Sequence, residues 1–185
     1  MRVIAGKAKS IPLLAPKGLQ TRPTPDRIKE TLFNMIHNDI PGCRFLDLFA
    51  GSGGIGIEAL SRGARECIFV DQSREAISCI KGNLKKSRLE ENARVISGDV
   101  LQILHRLSGE GTFDYIFADP PYKAGLEEKL LDHLEEARLA DENTIVVIEA
   151  SLDLSLDFLK SVNYELIRDK QYKTNRHLFL KKKDV

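Results

Sequence analysis

Cysteine is scarce in this chain, and its placement excludes more than its number does. Cys43, Cys67 and Cys79 are widely spaced, with no CxxC pair and no adjacent histidine cluster. Neither a disulfide framework nor a metal site is indicated, and the thiol usage reads as a reducing, cytoplasmic compartment. Long apolar runs are missing too. No stretch approaches the roughly 18 apolar residues of a membrane span. The start MRVIAGKAKS has no apolar signal core, so a soluble, unprocessed chain without a membrane partner is expected. No cysteine falls at the end of an apolar strand-like run near a candidate site, and His37, His105, His133 and His177 show no pairing at catalytic spacing. A covalent nucleophile is therefore not expected. There are no repeats, low-complexity tracts or long linkers, and 185 residues at 42% apolar and 30% charged suit one buried core.

Net charge is also slight, at +1, but its distribution is lopsided. Residues 1–30 carry seven basic and two acidic side chains, and residues 168–185 carry the same numbers, each segment reaching +5. The stretch between them sums to −9. Two cationic ends around an acidic body suit a protein that contacts a polyanion through its termini and does chemistry in its centre. Solvated tails give the same pattern.

Pro41-Gly42 marks the strongest change of composition. After it, apolar runs at Phe45–Phe49, Cys67–Val70, Arg94–Ile96, Tyr115–Ala118, Thr144–Glu149, Tyr164–Arg168 and His177–Leu180 read as strands. The first five are separated by helix-length segments, which predicts an α/β fold with a mostly parallel sheet. The last two are joined only by the short polar stretch 169–176 and should pair antiparallel. Before Pro41, Met1–Ala5 and Ile11–Leu14 bracket a turn and suggest a small hairpin. Thr24-Pro25 reads as an N-cap and first helical position, followed by Ile28, Leu32, Met35 and Ile36 on one face. Arg22 and Arg27 flank that stiff bend, as a surface cap or as a contact to RNA or cofactor.

From Asp47 to Gly56 the chain reads DLFAGSGGIG, a strand passing through glycines into a helix. Such glycines let backbone approach a ligand. Gly51, Gly53 and Gly56 satisfy GxGxxG and Asp71 follows Gly51 by 20 residues, so a nicotinamide dehydrogenase is a competitor. Asp47 before the glycines suits a cationic amino group better than a pyrophosphate. Asp71 suits a ribose diol, and Asp99, after the third strand, an adenine amine. A ligand with ammonium, ribose and adenine and no phosphate is S-adenosylmethionine. Each acid also has a plainer reading as a helix cap.

Asp119-Pro120-Pro121-Tyr122 follows the fourth strand. A carboxylate, rigid carbonyls and an aromatic ring suit an exocyclic amine of a nucleobase: the acceptors bond its hydrogens and leave the nitrogen lone pair facing an electrophile. Tyr122 can stack on the base. Paired prolines also simply stop strands.

With RVIAGKAKSIPLLAP, TRPTPDRIKETLFNMI, DLFAGSGGIGIEALSRGA and DPPY all present, nearly the whole chain resembles the class I methyltransferases, specifically the RsmD-type enzymes that methylate guanine N2 in bacterial small-subunit ribosomal RNA. The resemblance implies a Rossmann-like seven-stranded sheet of order 3-2-1-4-5-7-6 with the seventh strand antiparallel. It further implies S-adenosylmethionine as cofactor and one guanine of 16S ribosomal RNA, in an assembled or assembling 30S particle, as target. By matching motif positions, Asp47, Gly51 and Gly53 line the methionine end, Asp71 the ribose and Asp99 the adenine, with Phe49, Gln72 and Val100 completing the cofactor set. Asp119, Pro120, Pro121 and Tyr122 hold the guanine. Arg2, Lys7, Lys9, Arg22, Thr24 and Arg27 hold RNA on an N-terminal extension, 1–40, that precedes a methyltransferase domain, 41–185, in a monomer. One departure is Tyr172-Lys173-Thr174, where relatives often have a glycine after the tyrosine. The tetrapeptide does not separate guanine N2 from adenine N6, so a DNA adenine methyltransferase stays a rival, as does a dehydrogenase or a non-catalytic cofactor-binding protein.

Overall fold

A computed structural model describes residues 1–16, 25–121 and 125–183. The chain forms two compact units, Met1–Asp99 and Val100–Val185.

In the first unit, β1 (Arg44–Leu48) and β2 (Glu66–Asp71) pair in parallel, with Phe45 opposite Cys67 and Leu48 opposite Val70. Phe45, Leu46, Leu48, Ile68, Phe69 and Val70 are each at most 2% exposed. Strands covered on both faces need such continuous apolar runs, and burying one side chain of this size is worth about 1.5–3 kcal/mol. β3 (Ala93–Ser97) pairs parallel with β2 and, at the end of the strand order, has no fully buried residue. α2 (Gly54–Ser61) is buried at every position, while α3 (Arg74–Ser87) buries one face through Ala76, Ile80 and Leu84. The hydroxyl of Ser73 caps α3 by accepting from the Ala76 N–H at 3.3 Å.

The N-terminal segment departs from expectation in three ways. Residues 1–16 fold back on themselves, with the Val3 N–H donating to Ile11 O and the Ser10 N–H to Val3 O. Yet the one strand-type bridge among the described residues here is Arg2–Pro12, because Pro12 brings no N–H to a ladder. Next, α1 (Asp26–Ile36) starts one residue late: Pro25 is its N-cap, not its first helical residue. Thr24, the expected cap, lies outside the described residues, as do Arg22 and Tyr122. Finally, the buried face of α1 is Lys29, Leu32, Phe33 and Ile36, with Ile28 and Met35 only partly covered. Lys29 can turn inward because its Nζ lies 3.2 Å from Glu58 Oε2 on α2, both side chains being fully buried.

In the second unit, α4 (Val100–Arg106) leads to β4 (Tyr115–Ala118), and α5 (Leu126–Glu136) to β5 (Ile145–Ala150), parallel to β4. β6 (Tyr164–Gln171) and β7 (Arg176–Lys182) form an antiparallel pair, and β7 also runs antiparallel to β5. Both strands outrun their apolar signal. Their ladder continues through Asp169, Lys170 and Gln171, polar residues that a half-exposed antiparallel strand tolerates. The sheet has seven strands in the order β3-β2-β1-β4-β5-β7-β6, the order and orientation that the resemblance implies. Among the described residues, no helix is long and apolar enough to cross a membrane.

Candidate active site

The glycine loop of the first unit turns sharply between β1 and α2. Phe49 (φ 58°), Gly51 (φ 56°) and Gly53 (φ 75°) all take left-handed backbone, which is costly for a phenylalanine and marks a functional loop. The glycines differ in purpose. A Cβ on Gly56 would meet the Phe69 ring at 2.3 Å and Cys67 Sγ at 2.6 Å, so this glycine seats α2 on β2. A Cβ on Gly51 would meet nothing nearer than Phe49 O at 4.0 Å, leaving open space beside the loop backbone.

The loop's carboxylates hold its amides. Asp47, 1% exposed, accepts from the Gly56 N–H at 2.9 Å, a favourable place for a negative charge in the first turn of α2. Asp71 accepts from Gly51 N–H through Oδ2 at 2.9 Å and from Ser73 N–H through Oδ1 at 2.8 Å. Two of the three GxGxxG amides are thereby engaged with protein carboxylates. A pyrophosphate needs such amides as donors, and no lysine or arginine occurs in 47–56 or 97–102. The donor set fits a phosphate-free ligand with an ammonium and hydroxyls, as in S-adenosylmethionine, better than a nicotinamide dinucleotide. Gly98 N–H donates to Asp71 O, tying the ends of β2 and β3 together. Beyond them Asp99 is exposed and Val100 buried, while Gln72 is exposed.

In the second unit, Asp119 directly follows β4, part-buried, with Pro120 buried and Pro121 exposed. Burial, and then the negative charge of Glu149, pushes the Asp119 carboxyl up to about 8. Glu149 is a residue that sequence reasoning missed. It lies buried on β5 and accepts from Asn175 Nδ2 through Oε1, while its Oε2 sits 3.2 Å from His177 Nε2. His177 Nδ1 in turn lies 3.3 Å from the Tyr172 hydroxyl. His177, which shows no pairing at catalytic spacing in the sequence, thus has a buried carboxylate beside it. The pairing joins residues 28 apart in sequence, visible only once β7 is known to lie antiparallel beside β5. Cys43 and Cys67 are buried and Cys79 partly so, and burial pushes the Cys67 thiol well up, as suits an inert filler.

The N-terminal cations are not equivalent. Lys7, Lys9 and Arg27 are exposed, and Arg2 is exposed beside Asp26 at 3.4 Å. Lys29 is withdrawn from this set by Glu58. Glu58 also accepts from Ile4 N–H (2.8 Å), Ala5 N–H (3.0 Å) and Arg62 Nε (2.7 Å), so one carboxylate fastens the N-terminal fold and α1 to α2. The Ser61 hydroxyl adds a second clamp, donating to Ala5 O and accepting from Ala8 N–H.

The family described as conserved hypothetical protein 95 matches residues 1–181. A candidate rRNA methyltransferase of Bacillus subtilis, YlbH, is 46% identical over 157 residues, covering 84% of this chain and 85% of that protein. The ribosomal RNA small subunit methyltransferase D of Haemophilus influenzae is 35% identical over 173 residues, covering 92% and 88% respectively. Among solved structures, a candidate methyltransferase of Escherichia coli, yhhF, is 30% identical with a TM-score of 0.83, covering 100% of this chain and 99% of that one.

Proposed function

The chain belongs to the conserved hypothetical protein 95 family, that of the ribosomal RNA small subunit methyltransferases D, and from this premise we propose that it methylates the exocyclic N2 of one guanine in small-subunit ribosomal RNA with S-adenosylmethionine. The observation that carries the reading is Asp119-Pro120-Pro121 at the carboxyl end of β4, in a chain whose glycine-loop amides are engaged by Asp47 and Asp71. Each lies at the carboxyl ends of strands in its own unit, where open α/β sheets bind ligands.

S-adenosylmethionine, when bound, supplies an electrophilic methyl group on a positively charged sulfur. The chain's residues do the rest. Asp47, Phe49, Gly51 and Gly53 hold the amino-acid end, Asp71 and Gln72 the ribose, and Asp99 and Val100 the adenine. Asp119 and the Pro120 carbonyl accept hydrogen bonds from the guanine amine and aim its lone pair. Asp119 takes the proton as nitrogen becomes positive, and Tyr122 stacks on the base. Orientation of reactants supplies much of the acceleration, on the order of 7–11 kcal/mol in well-ordered systems. Extrusion of the guanine costs a few kcal/mol, least in a loop. Residues 1–40 face the RNA through Arg2, Lys7, Lys9, Arg22, Thr24 and Arg27, and a monomer acts on naked 16S ribosomal RNA or a 30S particle in the cytoplasm.

The test is incubation with labelled S-adenosylmethionine and, in parallel, 30S particles, naked ribosomal RNA and genomic DNA, with digestion of the product to nucleosides. Label in N2-methylguanosine is the expected result. Label in N6-methyladenine overturns it in favour of a DNA adenine enzyme, and no label with tight NAD binding in favour of a dehydrogenase.

A further inference from the structure

Strand register lines up ionisable groups from four strands of the second unit. Ala118 on β4 is opposite Ile148 on β5, so Asp119 comes next to Glu149. Glu149 is opposite His177 on β7, and His177 is opposite Lys170 on β6. In-register residues share a face, and the contacts agree: the Phe117 ring meets His177 edge-on at 5.8 Å, the Tyr172 ring lies 5.0 Å from His177, and Lys170 Nζ is 5.9 Å from the Tyr172 centroid. Glu149 is 8% exposed, Asn175 5% and His177 0%.

The direction of these hydrogen bonds carries the inference. Asn175 Nδ2 can only donate to Glu149. Assigning the Nε2 proton of His177 to the Glu149 contact leaves its Nδ1 lone pair to receive the Tyr172 O–H. Tyr172, His177 and Asn175 therefore all direct hydrogen-bond donors toward the Glu149 carboxylate, whose negative charge acts on Asp119. A buried negative charge next to a second carboxyl costs stability, and such arrangements cluster where the perturbed group serves a site.

We propose that Glu149, fixed by Asn175 and His177, is a positioning residue that makes Asp119 the proton acceptor for the attacking amine. This rests on the methyltransferase reading. As the nitrogen–methyl bond forms and the sulfur–methyl bond breaks, an N–H bond of the amine breaks, its electron pair stays on nitrogen and its proton passes to an Asp119 oxygen. The fixed negative charge of Glu149 favours that arrival. Among the described residues, the groups ranged beside Asp119 and Glu149 are His177 on β7, Lys170 on β6 and Tyr172 just after β6, and the last has its hydroxyl proton held more tightly, first by burial and then by Glu149.

The experiment uses the full chain. Carbon-13 NMR of labelled aspartate follows Asp119 in the ligand-free protein, and single-turnover methylation of ribosomal RNA is measured against pH. In Glu149→Gln the Asp119 midpoint should fall by about one pH unit or more, and the acid limb of the rate profile should move with it. Tyr172→Phe keeps the ring and removes only the far donor, so it should shift both in the same direction by less, which keeps the test usable if Glu149→Gln fails to fold. An unmoved Asp119 midpoint in either folded variant, with methylation intact, overturns this inference alone. A shifted midpoint in a protein that methylates no RNA supports the coupling and overturns the function instead.

Discussion

Replacing Glu58 by Gln is the perturbation whose size the structure sets most directly. Glu58 and Lys29 are both fully buried, and Glu58 also receives two backbone amides and the Arg62 guanidinium. The amide keeps the shape and loses the charge, stranding Lys29 with Arg2 O at 2.6 Å as its remaining anchor. Breaking a buried ion pair from one side costs about 3–5 kcal/mol, and at about 2–4 °C per kcal/mol for a chain of this size the melting temperature should fall by roughly 6–20 °C. The sign with pH follows from Lys29. Burial outweighs the attraction of Glu58 and lowers its proton affinity in the folded state. The unfolded chain therefore binds that proton more tightly, and stability rises as pH climbs toward the ordinary lysine value. In Glu58→Gln that rise should be steeper and begin at lower pH. Urea unfolding between pH 7 and 10 measures both effects, and hydrogen exchange at the Ile4 and Ala5 amides reads the release of the N-terminal fold. Lys29→Met on the Glu58→Gln background should recover part of the loss, closing a double-mutant cycle. A loss below about 1 kcal/mol with no pH dependence and unchanged exchange would refute the reasoning.

Three further outcomes are expected. Asp119→Ala should lower the methylation rate by at least about 100-fold, the scale of one positioned proton acceptor, with S-adenosylmethionine affinity by calorimetry within a few-fold; largely intact activity removes Asp119 from its role. Gly56→Ala places a methyl 2.3 Å from the Phe69 ring and should destabilise by about 1–3 kcal/mol through overpacking, with weaker cofactor binding because α2 carries the loop; a neutral effect on both contradicts the packing account. Arg22→Glu with Arg27→Glu should weaken RNA binding and flatten its dependence on salt, with cofactor binding unchanged. Unchanged RNA binding in filter assays removes the bend from the RNA surface.

Legibility in the sequence followed the physical range of each signal. All seven strands were visible, because those of the parallel sheet are short apolar runs; β6 and β7 were shortened only where polar residues continue their ladder. Asp47, Asp71, Asp99 and Asp119 were visible because each lies in the last residues of its own strand or within two residues of its end, so a local pattern fixes its place. The face of α1 was misjudged because an apolar count assigns lysine to solvent, and nothing near Lys29 in sequence announces Glu58. Glu149, Asn175 and His177 went unseen for the same reason.

The sequence by itself determined the order and kind of the elements, the acids that end the strands, and the glycines that turn the loop. Those depend on backbone periodicity and on residues a few positions apart. Tertiary structure decided which charges meet. Pairing of β5 with β7 set Glu149 against His177, and docking of α1 on α2 set Lys29 against Glu58. Charges interact through space, with a strength set by burial and distance, and neither is a property of neighbours along the chain.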